Sequence, residues 1–145
     1  MRRVVSVFYA VTILSLVACG GSGGKYGDVK DFIKEMISAQ DAYISAVEKA
    51  NSPDDFVKAI ENFGTSFIGL ADKSVELKAK YPDIDKWDSN PPEELKADFE
   101  KVEKSSEKME NIFTNENVRK HMMDPKVLQA FMDLGKKLEK TRFFE

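Results

Sequence analysis

Residues 52–82 read SPDDFVKAIENFGTSFIGLADKSVELKAKYP, and their apolar positions decide the fold class. Phe56, Ile60, Phe63, Phe67, Leu70, Ser74, Leu77 and Tyr81 follow one another at intervals of four and three without a break. At about 3.6 residues per turn, this spacing lays them along one stripe of a helix roughly seven turns long. The stretch also starts and stops as a helix does. Ser52 suits the cap, Pro53 the first helical position where its missing N–H costs nothing, and Asp54 and Asp55 the positive end of the dipole, while Pro82 ends the run. Gly64 and Gly69 each weaken a helix by up to about 1 kcal/mol relative to Ala, so both are expected where a neighbouring helix comes close.

The same period extends outward. Upstream, a helix is expected from a cap at Asp28 to Ala50, with Val29, Phe32, Ile33, Met36, Tyr43, Ile44 and Val47 on its inner side. Downstream, a connection from Pro82 to Asn90 leads to Pro91-Pro92-Glu93-Glu94, a second proline-and-acid start, and to a seam of Leu95, Phe99, Val102, Ser106, Met109 and Phe113. Trp87, within that connection, is expected to fold onto the end of the helices. The phase breaks at Thr114-Asn115-Glu116-Asn117, and a short helical piece follows through Val118 and Met122. Asp124-Pro125 opens the last helix, with Val127, Leu128, Phe131, Met132, Leu134 and Leu138 as its apolar positions. No stretch of β-branched residues alternates as a strand would. Helices with one apolar stripe each are unstable alone in water, so the stripes must face one another, and short connections set successive helices antiparallel. The expected fold is all-α: an up-down-up-down four-helix bundle over residues 28–145, with a short extra helix near 115–122.

With 145 residues, 42% of them apolar and 32% charged, the chain builds one core and wets its own surface. One Cys and one His are too few for a disulfide scaffold, a Cys/His zinc site, an iron–sulfur cluster or covalently attached haem, so no metal and no cofactor is expected. Catalytic residues are expected to be absent as well. A nucleophile, its base and an orienting group cannot be composed when His121 is the only imidazole, and the adjacent acids Asp54-Asp55 and Glu93-Glu94 are explained by helix starts. Asp83-x-Asp85-x-x-Asp88 lacks the glycine turn and the bidentate acid of a calcium loop. Glu100-Lys101, Glu103-Lys104 and Glu107-Lys108 place acids and bases three or four apart and read as a solvated helix face. The terminal Phe143-Phe144 reads as a frayed end, or as an apolar contact with a partner or a membrane.

The N-terminus has a separate logic. Met1-Arg2-Arg3 precedes an apolar run from Val4 to Ala18, which as a helix would cover about 22 Å, short of the roughly 30 Å hydrocarbon core of a bilayer. The run ends Leu16-Val17-Ala18-Cys19, and this ending resembles the lipobox of bacterial lipoproteins. The resemblance implies that residues 1–18 are a signal peptide, that a peptidase cuts before Cys19, and that the Cys19 thiol and the new amino terminus are acylated. Each buried methylene contributes about 0.8 kcal/mol and one chain holds only marginally, so two or three chains anchor firmly. Residues 19–27 are then a Gly/Ser-rich tether whose last eight residues reach on the order of 15 Å. Gly20 replaces the Asp that favours inner-membrane retention in enterobacterial lipoproteins, so the resemblance implies the bacterial cell envelope and the outer membrane. Loss of Arg2 and Arg3 leaves 20 basic and 25 acidic side chains, a net charge of −5, which disfavours nucleic acid as a partner.

A second resemblance concerns ligands. An early Met36, a bundle of this length and the closing Lys140-Thr141-Arg142 are similar to soluble four-helix b-type cytochromes, which implies a haem between Met36 and His121. The last helix, however, contains no histidine where that family places its second ligand. The leading expectation is therefore a lipid-anchored, non-enzymatic structural or protein-interaction module with an envelope protein as partner. The alternative is a carrier of haem or an apolar small molecule between helices.

Overall fold

A computed structural model of the chain describes residues 24–87 and 89–141, and the regular elements among them are all helical. They are α1 (Gly27–Lys49), α2 (Pro53–Lys80), α3 (Lys96–Ile112), α4 (Glu116–Met122) and α5 (Pro125–Glu139), with single 3-10 turns at Ile84–Lys86 and Glu93–Leu95. The signal segment, Cys19 and Phe143-Phe144 lie outside the described residues.

Local chemistry accounts for most boundaries. Ser52 Oγ accepts from the Asp55 N–H at 3.2 Å and donates to Asp55 Oδ2 at 2.7 Å, while that carboxylate accepts from the Asn51 N–H at 3.2 Å. This reciprocal box starts α2. The Ser52 hydroxyl, helped by Asn51, holds the Asp55 carboxyl below its ordinary pKa. Asn115 caps α4 by accepting from the N–H groups of Asn117 and Val118, and Asp124 caps α5 through Lys126, with Pro125 behind it. The expected phase break after Phe113 is thus a true break between helices, and the second has its own cap. Two expected starts differ. The helix that was expected to be capped by Asp28 begins two residues earlier, with Tyr26 as a cap residue that makes no side-chain bond, because Asp28 is engaged elsewhere. The Pro91-Pro92-Glu93-Glu94 start yields a 3-10 turn first, and α3 proper begins at Lys96.

Asp28 ties the two long helices together. Its carboxylate accepts from Lys80 Nζ, from the Tyr81 hydroxyl at 3.0 Å and from the Val29 N–H at 2.9 Å. A second ion pair joins Glu35 to Lys73, so α1 and α2 run antiparallel. Above them, Tyr26, Tyr81 and Trp87 form a ring triangle with centroids 5.4–5.6 Å apart, and Trp87 is buried against that end as expected.

The core falls into two main clusters along the helix axes. One joins Phe32 and Met36 of α1 to Leu70 and Leu77 of α2 and to Leu95, Phe99 and Val102 at the start of α3. The other joins Tyr43 and Val47 to Phe56 and Ile60, to Met109 and Ile112 at the end of α3, and to Val127 of α5. Early α1 therefore shares a cluster with early α3, and late α1 with late α3. The pair runs parallel, and Asp41 faces Lys108 across it at 3.7 Å. By the same test α5 runs parallel to α2: Asp54 pairs with Lys126 at 2.8 Å, and Phe67 and Leu138 share a third cluster. The tightest helix packing accordingly joins α1 to α2, α1 to α3 and α2 to α5.

Gly64 explains the last of these. A Cβ placed on it would meet Leu134 Cδ1 at 2.6 Å, the close approach expected for this glycine. Gly69, expected to serve the same purpose, faces open space, because it lies on the exposed side of α2. Gly69→Ala should therefore raise stability by about 0.5–1 kcal/mol through helix propensity alone, whereas Gly64→Ala should gain less because Leu134 must move. Chemical denaturation of both variants measures the difference.

Asp28 supplies a pH-dependent prediction. Burial pushes its carboxyl up, but the bonds from Lys80, Tyr81 and Val29 outweigh this and hold the pKa below its ordinary value. A lowered native pKa stabilises the fold above the ordinary carboxylate range and is lost as pH falls through the native value. Asp28→Asn should cost about 1–2 kcal/mol at neutral pH, and the deficit should vanish in acid, as followed by Trp87 fluorescence during unfolding.

Candidate apolar binding site

Since α3 packs on α1 and α5 on α2, the four long helices leave a cleft between α3 and α5. Its volume is about 290 Å³. Gln40 and Tyr43 of α1 and Ile60, Phe63 and Phe67 of α2 make the floor. Ser106, Met109, Glu110 and Phe113 of α3 form one wall, and Phe131, Leu134, Gly135 and Leu138 of α5 the other. An enclosed apolar hollow of about 150 Å³ already stays dry and accepts a small aromatic molecule, and this cleft is nearly twice that size. It lies at the lower end of the range of small-molecule sites.

The seam residues reach the cleft by a shift in phase. Ser106 and Phe113 belong to the apolar seam read from sequence, yet α3 turns their neighbours Ser105 and Ile112 into the core instead. Phe113 is left 38% exposed at the mouth. On α5 only Val127 of the expected inner stripe is fully buried. Phe131, Leu134 and Leu138 are half-buried along the wall, while Leu128 and Met132, expected to be buried, are 43% and 59% exposed. Apolar surface thus continues outward from the cleft along the outer side of α5.

Two polar groups stand in the floor. Gln40 is 3% exposed and its Oε1 has no hydrogen-bond partner. Tyr43, one turn further on, packs its ring 5.0 Å from that of Phe63, and burial pushes its phenol up to about 12. Glu110 is the one charged residue among those lining the cleft. Gln40 escaped the sequence reading although its position was informative: four residues after Met36 and three before Tyr43, it fills the gap in the first helix's stripe.

The residues singled out from sequence are not brought together. Met36 is buried in the first cluster, and His121, on α4, packs its ring 5.1 Å from that of Phe56 in the second. Neither lines the cleft. Among the described residues there is no group of three or more His, Cys, Asp or Glu placed to hold a metal ion, and no helix long and apolar enough to cross a membrane. A second groove, of about 690 Å³, lies between α2 and α5, where the apolar Val57, Ile60, Ile68 and Leu134 share the lining with the charged Asp54, Glu61, Lys126, Asp133, Lys136 and Lys137. Compared with known protein families, with curated proteins and with solved structures, the chain matches none.

The raised phenol pKa has a measurable sign. Native Tyr43 holds its proton more tightly than the unfolded chain does, so its contribution to stability is complete below about pH 10 and lost as pH rises toward about 12. In a spectrophotometric titration the last phenol to ionise should disappear in Tyr43→Phe, and that variant should lose less stability at alkaline pH than wild type.

Proposed function

We propose that this chain is a lipid-anchored protein of the bacterial cell envelope whose helical domain is a non-enzymatic binding module for an apolar small molecule. Two supports are independent. The ordered n-region, apolar run and Leu16-Val17-Ala18-Cys19 ending support acylation of Cys19, export and an outer-membrane address. The observation that carries the binding role is the apolar cleft between α3 and α5. Of the two expectations for the domain, the cleft favours the ligand carrier, and it favours an apolar molecule other than haem because Met36 lies in the first cluster, His121 packs on Phe56 of the second, and neither lines the cleft.

The arrangement behind the cleft is a four-helix bundle whose helices alternate up, down, up and down. The ion pairs support this, with α1 opposed to α2 and α3 and α5 following α1 and α2 in turn. In such a bundle the connection between α2 and α3 carries the chain diagonally over the end occupied by Tyr26, Tyr81 and Trp87. The α4 turn closes the opposite end, where Asn117 Nδ2 donates to the Ala50 carbonyl at 3.0 Å.

A second reading, contact with an envelope protein, is favoured by the exposed Phe113, Met123, Leu128 and Met132, since exposed apolar side chains of this size mark interaction surfaces when they gather. A partner helix laid along α5 would cover Leu128 and Met132.

Two measurements test the proposal. Detergent phase partitioning should move the wild-type chain into the detergent phase and Cys19→Ser into water, with mass spectrometry finding an acylated Cys19 terminus. For the cleft, Gly135→Leu places a side chain where a Cβ meets nothing within 4 Å and so fills the site from the α5 wall. It should keep full helicity, gain about 0.5–1 kcal/mol from the loss of glycine, and abolish the fluorescence of the neutral dye N-phenylnaphthylamine bound to wild type. Equal dye binding by both forms would exclude the cleft as the site.

A further inference from the structure

Resting on the partner contact proposed above as a second reading, we infer that the cleft and its two banks seat one amphipathic helix of the partner protein, apolar on its inner face and carrying Lys or Arg along the flank that meets α3.

The inference starts from how α3 divides its charges. Glu103, Glu107 and Glu110 follow one another at four and three, and Glu110 lines the cleft, so the three acids run along the edge of that wall. Lys101, Lys104 and Lys108 repeat at three and four on the other side of the helix, where Lys108 faces Asp41 of α1. The bases do not neutralise the acids beside them, because Lys101 takes Asp98 and Lys108 takes Asp41. Glu103, Glu107 and Glu110 are exposed and have no ion-pair partner among the described residues. On α5, Lys126, Lys136 and Lys137 turn away from the cleft and line the groove against α2. No Lys, Arg or His lines the cleft, and Arg119 and Lys120 stand beyond Phe113 in the neighbouring groove beside α4. The α3 bank is therefore acidic along its length.

The α5 bank is apolar. Leu128 and Met132 are exposed along it, and a Cβ on Gly135 would meet nothing within 4 Å, which leaves room for a second backbone to come close. At 1.5 Å per residue the apolar line from Leu128 to Leu138 covers about 15 Å, and the acids from Glu103 to Glu110 about 10 Å. A small molecule in the floor leaves most of both lines uncovered. A helix of about three turns covers both, and its large side chains at i, i+4 and i+7 enter the hollow among Phe63, Phe67 and Phe131.

Charge fixes the remaining chemistry. A row of exposed carboxylates repels an acidic helix and attracts one with bases on the matching flank, an attraction that salt weakens. The opposite flank, over Leu128 and Met132, has to be uncharged, because a charge laid there loses water and gains no partner. The occupant is thus basic on one side only.

The test uses the full lipidated chain in phosphatidylcholine nanodiscs. The probe is a synthetic amphipathic peptide of about four turns with a leucine stripe, a photoleucine at its centre and Lys along one flank. Two companions carry Gln or Glu in place of Lys. Cross-links are mapped by mass spectrometry, and their yield is followed against peptide concentration. Label should fall on residues of the cleft and be lost in Gly135→Leu. At low salt the Lys peptide should label about tenfold more tightly than the Gln peptide, and the Glu peptide should be weakest. High salt should erase that order. So should Glu103→Gln, Glu107→Gln and Glu110→Gln combined, a variant that should keep wild-type helicity and melting temperature because all three side chains are exposed. If the cleft is labelled equally by the three peptides, or the triple variant leaves their order unchanged, the basic flank is overturned and the partner contact stands. If no peptide labels the cleft, or Gly135→Leu leaves the pattern unchanged, the cleft is not a helix seat, and both the inference and the partner contact there fail.

Discussion

Each long helix carries one apolar stripe, and two of them must serve two neighbours at once. The structure depends on how α1 and α2 divide that duty. They pack against each other through an antiparallel seam clamped at one end by Asp28, Lys80 and Tyr81, and each then takes one further helix along its flank. Gly64 draws α5 onto α2 by admitting Leu134, and the turn of Ser105 and Ile112 into the core draws α3 onto α1. Both flanking helices are satisfied by their own partners before they reach one another. The space between them is therefore a consequence of close packing elsewhere, since each approach that buries apolar area on one side forgoes it on the other.

How far the sequence discloses this follows from what local signals encode. The all-helical class, the α2 start at Ser52-Pro53, the separate α4 piece and the burial of Trp87 were legible because capping chemistry and the 3.6-residue period act over a few residues. Which helix lies beside which was not. Short loops favour antiparallel neighbours, but residues 81–95 are long enough to cross the bundle end, and nothing local says whether they do. The same gap explains the errors on α5. Leu128 and Met132 share the wide apolar arc of Val127 and Phe131, and only the absence of a neighbour on that side leaves them exposed. Gly69 failed for a related reason: a glycine reports close approach only where a second helix arrives, and α5 meets α2 at Gly64.

Periodicity also misled at one informative place. Ser74, Ser105 and Gln40 all occupy buried positions with an unpaired polar atom, and a serine hydroxyl is small enough to be tolerated in a helix seam. Gln40 differs in size and in location, since it lines the cleft and the serine at 74 does not. A sequence read for apolar residues at three-and-four spacing records Gln40 as a missing tooth. Read for residue type at the same spacing, it is the one long polar side chain in the first helix's inner stripe. Local violations of the core pattern of this kind are expected where a site trades stability for recognition.

The proposed anchor would set how far the proposed site stands from a membrane. The chain enters α1 at Gly27, and Gln40 stands 13 residues along that helix, about 20 Å at 1.5 Å per residue. A tether of on the order of 15 Å precedes it if Cys19 is acylated. The cleft would then be held within several nanometres of the bilayer surface, too far to be immersed in it and near enough to sample whatever leaves it. Anchored in this way, an acidic domain would not be drawn flat against anionic headgroups, and the cleft would face the aqueous side. For an apolar ligand the proposed arrangement would replace a search through solution by a search within the reach of one tether, which would raise the effective concentration without any added affinity. A charged lipid would gain the same proximity but would still meet Glu110 and no counter-ion, so selectivity has to come from the floor and walls of the cleft, while the anchor supplies only encounter.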